Sequence, residues 1–334
     1  MKTLLKKLYD IDTISFIKLS DKCYRIKTKD NDYILKYIEN TNIDIIIEKL
    51  SILNIDSFLF HIMNTDGEYV SNYANANFLI FEWLKEEKVV LKDLKLKFFL
   101  EQLANLHNKT FYTLKVNENF FKDTYEYIGN KIDDVELKIE KYMETIEKLD
   151  YKSPSNWLFL LNYPIYQDAI DKANKSLEKF KEMSYSKNTI RMAFTYKNFN
   201  YQHIFLKEQK IIGIECMELS PPIYDIFYSI TTVDDISVDM KNYYEKYFNS
   251  FILDDYEKEW LYSLLYIPKI DLSNDEVANI VNISTSLNYL RNSNEIVEMI
   301  KNINYKKELL IPTIPFYIPG VSGAWADIVT LIVS

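Results

Sequence analysis

Two short stretches near the start of the chain, Cys23-Tyr-Arg-Ile-Lys27 and Tyr33-Ile-Leu-Lys-Tyr-Ile38, decide the fold. Both are rich in β-branched and aromatic residues, and turn-forming Ser, Asp and Asn residues flank them. A similar run, Ile14-Ser-Phe-Ile-Lys-Leu19, precedes them. Short apolar runs separated by turn residues predict three consecutive β-strands.

The residues that follow predict one helix and two more strands. Apolar residues spaced three and four apart indicate an amphipathic helix over 42–53. Strands are expected at 58–63 and 77–83, on either side of an Asp-Gly turn. Residues 1–84 are therefore predicted to form a compact α+β module of five strands and one helix.

The composition of the chain excludes several classes of protein. With 334 residues, of which 48% are hydrophobic, the chain can bury a large core in one or two domains. Its net charge of -9 argues against nucleic-acid binding, which requires basic surfaces. Because Cys23, Cys216 and the three histidines show no metal-ligand spacing, we expect neither a zinc cluster nor a disulfide framework, and we expect a cytoplasmic location.

Beyond residue 84 the periodicity becomes helical. Apolar residues between 121 and 149 recur at spacings of four and three, a seam that requires a partner helix. We expect the partner to be the next helix, which Ser153 and Pro154 open as N-cap and first residue. Dimerisation through the same seam is the alternative. A small group of strands is expected between 190 and 215.

The last residues, 307–334, differ from the rest of the chain. Three prolines and Asp327 interrupt their apolar sequence, whereas a membrane anchor requires about twenty uninterrupted apolar residues. We therefore expect no membrane partner. We interpret the segment as an atypical apolar tail, either docked on the protein or a non-native extension.

Motifs along the chain occur in a specific order. Tyr33-Ile-Leu-Lys36 lies on the third predicted strand, Phe81-Glu-Trp-Leu84 ends the last one, and Leu103-Ala-Asn-Leu-His107 ends a helix. Tyr196-Lys-Asn-Phe-Asn-Tyr-Gln-His-Ile-Phe205 and Pro221-Pro-Ile-Tyr-Asp-Ile226 follow. The series resembles the kinase-like superfamily of aminoglycoside and choline phosphotransferases, and most of all its spore-coat, CotS-like branch.

The resemblance implies a two-lobed α+β fold of the protein-kinase type. The small β-rich N-lobe would comprise residues 1–84, and the large, mainly helical C-lobe would comprise residues 85–306. A helical-hairpin insertion at 117–183 and a degenerate catalytic loop at 196–205 would belong to the C-lobe.

The resemblance also implies a nucleotide site between the lobes. Lys36 would hold the α- and β-phosphates of ATP. Glu48, on the following helix, would pair with Lys36. Glu82, Trp83 and Leu84 would contact adenine at the connection between the lobes.

By the same resemblance, the positions that carry the chemistry are altered. Asn198 replaces the loop aspartate that orients the substrate hydroxyl, and an amide cannot accept that proton. His203 replaces the asparagine that binds Mg²⁺, although Mg²⁺ prefers oxygen ligands. Only Glu215 offers a carboxylate for the second metal position. The turn Leu19-Ser-Asp-Lys-Cys23 contains no glycine to cradle a phosphate.

These alterations predict a pseudokinase that requires no cofactor and acts as an interaction or assembly component. Its partners would be proteins, including other spore-coat proteins in a low-GC Gram-positive cell that sporulates. The rival hypothesis is an active phosphotransferase that uses ATP and Mg²⁺ on a small hydroxylated molecule. A third hypothesis retains nucleotide binding without turnover. Dependence on Mg²⁺ separates them, because an enzyme of this type requires the metal.

Overall fold

The structure is a computed structural model, and it describes one compact unit, Met1–Ile303. Within this unit the described residues are 1–39, 43–85, 91–117, 119–234, 236–273 and 275–303. The predicted tail at 307–334 lies outside these ranges. No helix within them is both long and apolar enough to cross a membrane.

The N-terminal lobe is built on a five-stranded antiparallel sheet. The three strands predicted first are present as β1 (Ser15–Lys18), β2 (Cys23–Lys27) and β3 (Tyr33–Ile38). Strand β5 (Ala76–Glu82) pairs with every residue of β3, and β4 (Ser71–Tyr73) lies at the far edge. The order across the sheet is β1-β2-β3-β5-β4.

Helices cover both faces of this sheet. Side chains on a strand alternate between its faces, and here both faces carry apolar residues that are buried. Leu35 and Phe78 are buried with helix α1 (Lys2–Tyr9) on one face. Leu79 is buried with helix α2 (Ile43–Ile52) on the other face. Helix α2 was predicted, whereas α1 was not, so the described residues of this lobe form two helices where the sequence indicated one. Helix α1 escaped prediction because it is short and rich in lysine.

The strand expected at 58–63 is wrong, and β4 takes its place in the sheet. Residues 58–63 form a connection that is tied to both lobes. The N–H of Leu59 donates to the carbonyl of Ile211 at 2.8 Å, and the N–H of Ile62 donates to the carbonyl of Ile80 at 2.7 Å. The apolar character of this segment therefore comes from burial between the lobes and not from a place in the sheet.

The C-terminal lobe is mainly helical, and its longest feature is a hairpin of α4 (Phe120–Glu147) and α5 (Pro154–Ser184). The apolar seam of α4 packs on α5, for example through Tyr142 against Phe159, with ring centroids 4.8 Å apart. Ser153 caps α5, as predicted. The partner of the seam is thus the next helix. The other described helices are α3 (Lys92–Thr110), α6 (Ile223–Thr232), α7 (Val238–Ser250), α8 (Asp255–Leu265) and α9 (Glu276–Asn302).

Short strands among these helices hold the loop at 196–205. One three-stranded sheet has β7 at its centre, and a two-stranded hairpin follows the loop. Glu215 was expected at the end of a strand, but it lies on a short 3-10 helix, Ile214–Cys216. The strands are β6 (Tyr112–Lys115), β7 (Thr189–Thr195), β8 (Ile204–Phe205), β9 (Lys210–Ile211) and β10 (Glu218–Ser220).

Candidate functional site

A buried carboxylate fixes the start of the loop at 196–205. Asp225, in the first turn of α6, accepts hydrogen bonds from the N–H groups of Tyr196 (2.9 Å) and Lys197 (2.5 Å). It also accepts one from Nε2–H of His107 at 2.9 Å, and Nδ1 of His107 accepts one from the Tyr247 hydroxyl at 2.7 Å. Asp225 and His107 are both fully buried, so they act as a structural brace beneath the loop.

Tyr196 joins the loop to the chain that follows β9. Its hydroxyl donates to the carbonyl of Ile212 at 2.5 Å, so in the 2.9 Å contact with His203 it is the Nδ1–H of the imidazole that donates. Burial lowers the pKa of His203, which favours the neutral ring. Gly213 passes beside the tyrosine with a φ of 95°, and a Cβ there would lie 3.1 Å from the Tyr196 hydroxyl. Glycine is therefore required at this position.

Lys36 and Glu215 form an ion pair that links the two lobes. Nζ of Lys36, on β3, donates to Oε1 of Glu215, and Nε2 of His61 lies 3.5 Å from Oε2. Burial alone would raise the pKa of Glu215, but His61 and the Lys36 ammonium outweigh it and lower the pKa to about 2. Burial likewise opposes the charge on Lys36, but Glu215 raises the pKa of that ammonium. Both groups are therefore charged at neutral pH.

Asn198 and Cys216 contact each other at the centre of the candidate site. Nδ2–H of Asn198 donates to Sγ of Cys216 at 3.3 Å. Burial raises the pKa of the Cys216 thiol, and it also raises that of Cys23, which lies opposite Lys36 in the β2–β3 register. A thiol with a raised pKa is a poor nucleophile at neutral pH. Burial therefore makes both cysteines poor nucleophiles at neutral pH.

Glu48 is not the partner of Lys36. The side of α2 that packs on the core carries Ile46, Ile47 and Leu50, and this arrangement turns Glu48 toward solvent. Within the described ranges Glu48 makes no ion pair. The Lys36 ammonium is bound instead to the carboxylate described above.

Glu82, Trp83 and Leu84, which were expected to contact adenine, lie where β5 ends and the chain leaves the N-lobe. The N–H of Trp83 donates to the carbonyl of Asp32 at 3.0 Å, and the Arg25 guanidinium lies 4.3 Å from the centroid of the Trp83 ring. The Glu82 side chain is exposed, and Leu84 is half-buried. The N–H of Trp83 is thus bonded within the lobe in this conformation.

The turn between β1 and β2 uses its backbone donors internally. The N–H groups of Leu19 and Ser20 both donate to the carbonyl of Cys23, at 2.9 Å and 3.1 Å. The N–H of Cys23 donates back to the carbonyl of Ser20 at 3.3 Å. A phosphate-binding turn directs such donors at the ligand. These three donors point into the turn instead.

His203 and Glu215, the two candidate metal ligands, do not fit Mg²⁺. Among the residues that the structure describes, no group of three or more His, Cys, Asp or Glu side chains is arranged to hold a metal ion. Glu215 is bonded to Lys36, whereas Nδ1 of His203 contacts Tyr196 and the carbonyl of Asn198 at 3.2 Å. Mg²⁺ requires several oxygen ligands in octahedral geometry, and this arrangement does not supply them.

His61 and Cys216 are members of the site that the sequence did not reveal. His61 lies in the apolar run that was interpreted as a strand, and a single buried histidine within such a run was the available signal. Cys216 is adjacent to Glu215 in sequence, but its contact with Asn198 depends on how two distant segments pack. Spacing along the chain carries no information about that contact.

Comparison with known proteins agrees with the two-lobed architecture. No family model and no curated protein sequence matches the chain. Among solved structures, an aminoglycoside phosphotransferase from Alicyclobacillus acidocaldarius superposes with a TM-score of 0.66 at 10% identity, covering 89% of this chain and 94% of that chain. Spectinomycin phosphotransferase APH(9)-Ia in complex with AMP gives a TM-score of 0.54 at 13% identity, covering 91% of this chain and 98% of that chain.

A second structure of spectinomycin phosphotransferase, in complex with ADP and spectinomycin, gives a TM-score of 0.51 at 14% identity. It covers 90% of this chain and 96% of its own chain. The protein therefore has the two-lobed, kinase-like α+β fold of these phosphotransferases, as the sequence predicted.

Proposed function

We propose that this protein is a catalytically degenerate kinase-like protein, a pseudokinase, that works through contacts with other proteins. The observation that carries the proposal is the hydrogen bond from Asn198 to the Cys216 thiol. The resemblance matches Asn198 to the aspartate of the family's catalytic loop. The amide donates there and holds no negative charge. It cannot take the proton of a substrate hydroxyl.

The ion pair between Lys36 and Glu215 supports the same proposal. In phosphotransferases the lysine holds phosphates, while carboxylates hold Mg²⁺. Here the two charges neutralise each other across the lobes. A nucleotide that drew Lys36 away would leave the Glu215 carboxylate, whose side chain is 6% exposed, without its ammonium partner. An unpaired buried charge is costly, so nucleotide binding is opposed.

Nucleotide binding without turnover is the second candidate, because Lys36 remains charged where the phosphates of a nucleotide would lie. Solved structures with a similar fold include complexes with AMP and with ADP. An active, Mg²⁺-dependent phosphotransferase would require more. Glu215 would have to leave Lys36 and bind the metal together with further oxygen ligands.

The CotS-like resemblance supplies the biological setting of the proposal. The α4–α5 hairpin offers an extended surface. Tyr151, in the turn between the two helices, is 94% exposed, and Tyr185, at the C-terminal end of α5, is 89% exposed. Tyrosine is enriched at protein interfaces because it combines large contact area with a polar tip. We propose that the partners are other proteins of a spore coat or a similar assembly.

Release of ADP from ATP in the presence of Mg²⁺ tests the proposal. We expect the wild type, Lys36→Ala and the control Lys301→Ala to give the same background rate. Lys301 is a suitable control because it is an exposed lysine paired with Glu298 on α9. Mg²⁺-dependent ADP release that Lys36→Ala abolishes and Lys301→Ala retains would establish an assembled phosphotransfer site and contradict the proposal.

A further inference from the structure

The first half of helix α5 presents an uncharged apolar line to solvent. From Pro154 to Gln167 the sequence contains no charged residue. Trp157, Leu161 and Ile165 are 54%, 75% and 46% exposed. Because they are spaced by four residues, they lie on one side of the helix.

The first half of helix α9 has the same character. No charged residue occurs between Glu276 and Arg291. Val277, Ile280 and Val281 are 70%, 36% and 56% exposed. In a chain of which 27% is charged, two uncharged helix surfaces of this length are unusual for faces in contact with water.

Hydrogen bonds hold these two helices side by side. Oε1 of Glu276 accepts from the N–H of Ser155 at 2.7 Å, and Oε2 accepts from the Ser155 hydroxyl at 2.6 Å. Further along, the Tyr166 hydroxyl donates to the carbonyl of Ile283 at 3.4 Å. The helices therefore run in the same direction. By the helical period, the apolar line of α5 lies about a third of a turn to one side of these contact residues, and that of α9 lies about a third of a turn to the other side, so both lines fall on one surface. We call this surface the α5–α9 face, and its members are Trp157, Leu161, Ile165, Val277, Ile280 and Val281.

We propose that the α5–α9 face binds a second copy of this chain in a twofold-symmetric dimer. Its six side chains expose on the order of 600 Å² of largely apolar surface, at the upper end of what a monomer leaves exposed. Two such faces would bury roughly 1,200 Å² together, which reaches the range of specific interfaces. The proposal does not depend on whether the cleft between the lobes binds nucleotide.

The charge of the protein favours a second copy as the occupant. Each chain carries a net charge of -9, so two copies repel each other over most of their surface. A face without charged side chains is where this repulsion interferes least with contact. A partner recognised by its basic surface would instead bind to an acidic patch, and the α5–α9 face contains no acidic side chain.

The spacing of the line on α5 suits a twofold axis. If two α5 helices cross in antiparallel orientation with Leu161 near the axis, Trp157 of one copy lies opposite Ile165 of the other. The same contact is then made twice, as an isologous interface requires. The α4 seam, considered for dimerisation from the sequence, is filled by α5 within the chain and leaves this role to the α5–α9 face.

Sedimentation velocity of the full chain over a range of concentrations tests the proposal. We expect the wild type to sediment as a species of twice the 39.8 kDa chain mass. Leu161→Asp should raise the dissociation constant of the dimer by about 100-fold or more, because near the axis the two aspartate carboxylates would face each other. The matched control is Leu137→Asp, on a leucine of α4 that is 47% exposed and lies outside the α5–α9 face. It should leave the dimer unchanged.

In sedimentation velocity, two results would overturn the proposal: a wild-type chain that stays monomeric at the highest concentration measured, or a dimer that Leu161→Asp leaves intact. Oxidative cross-linking gives an independent measurement that does not depend on a disruptive substitution. Leu161→Cys should form a covalent dimer across the axis, whereas Leu137→Cys and the wild type should not. Cross-linking of Leu137→Cys alone would also overturn the proposal, and so would binding of a monomer to vesicles of uncharged lipid that Leu161→Asp abolishes.

Discussion

The substitution Asp225→Ala removes the carboxylate that holds the loop at 196–205 against α6. In the native protein this carboxylate accepts the N–H groups of Tyr196 and Lys197 and the Nε2–H of His107. Asp225 is 1% exposed and His107 is 0% exposed, so water does not replace the lost acceptor at the imidazole. Alanine would leave three donors without a partner.

The magnitude follows from the number and burial of these donors. A buried donor without an acceptor costs roughly 1–3 kcal/mol, so three would cost about 3–9 kcal/mol in a rigid site. The N–H of Lys197 can reach water if the loop moves outward, because this residue is only half-buried. We therefore expect a loss of about 3–5 kcal/mol in the free energy of unfolding.

Equilibrium unfolding in urea, followed by circular dichroism, measures this loss. Asp234→Ala is the matched control, because the Asp234 carboxylate is 82% exposed in its pair with Lys92. We expect the control to lie within about 0.5 kcal/mol of the wild type. Hydrogen exchange at the amides of Tyr196 and Lys197 should accelerate in Asp225→Ala alone. A loss below about 1 kcal/mol, with unchanged exchange, would refute the inference that Asp225 is the main acceptor for these groups.

Three further substitutions test the packing and the charges of the protein. Phe180→Ala should lower the free energy of unfolding by about 3–5 kcal/mol in urea titrations. The Phe180 ring is fully buried, and its centroid lies 5.2 Å from that of the Trp260 ring. A loss below about 1 kcal/mol would be inconsistent with that packing. Gly213→Ala should lower the melting temperature, since φ is 95° and the new Cβ would crowd the Tyr196 hydroxyl; an unchanged melting temperature would show that the backbone adapts. The pKa of Glu215 is lowered from 4.5 to about 2, so its contribution to stability is complete above pH 4.5 and is lost as the pH falls toward 2. The stability difference between the wild type and Glu215→Gln should therefore shrink over that interval in acid titrations, and a difference independent of pH would contradict the ion pair.

The strands of the N-lobe differ in how well the sequence predicts them. β1, β2 and β3 were predicted within about one residue, because each is an apolar run with turn residues at its ends. β4 is three polar residues that become a strand through pairing with β5, and this pairing has no local signal. The run at 58–63 has the composition of a strand because it is buried between the lobes.

The sequence predicts individual residues of the candidate site but not which of them contact each other. The altered positions Asn198 and His203 followed from the resemblance, and the structure places both in one loop. The Lys36–Glu215 pair joins residues 179 apart in sequence, so only the packed lobes reveal it. Glu48 illustrates the opposite case, since the helical period that buries Ile47 already turns the next residue toward solvent.

A thermal-shift titration with ATP, with and without Mg²⁺, on the wild type and Lys36→Ala tests most directly whether this site binds a nucleotide together with a metal. A ligand that binds the native state stabilises it by about 2.7 kcal/mol at 100 times its Kd, so even weak binding is detectable at millimolar ATP. We expect no Mg²⁺-dependent rise in melting temperature for either protein. A Mg²⁺-dependent rise in the wild type that Lys36→Ala abolishes would contradict the proposal that the Lys36–Glu215 pair opposes nucleotide binding at a site that does not fit Mg²⁺.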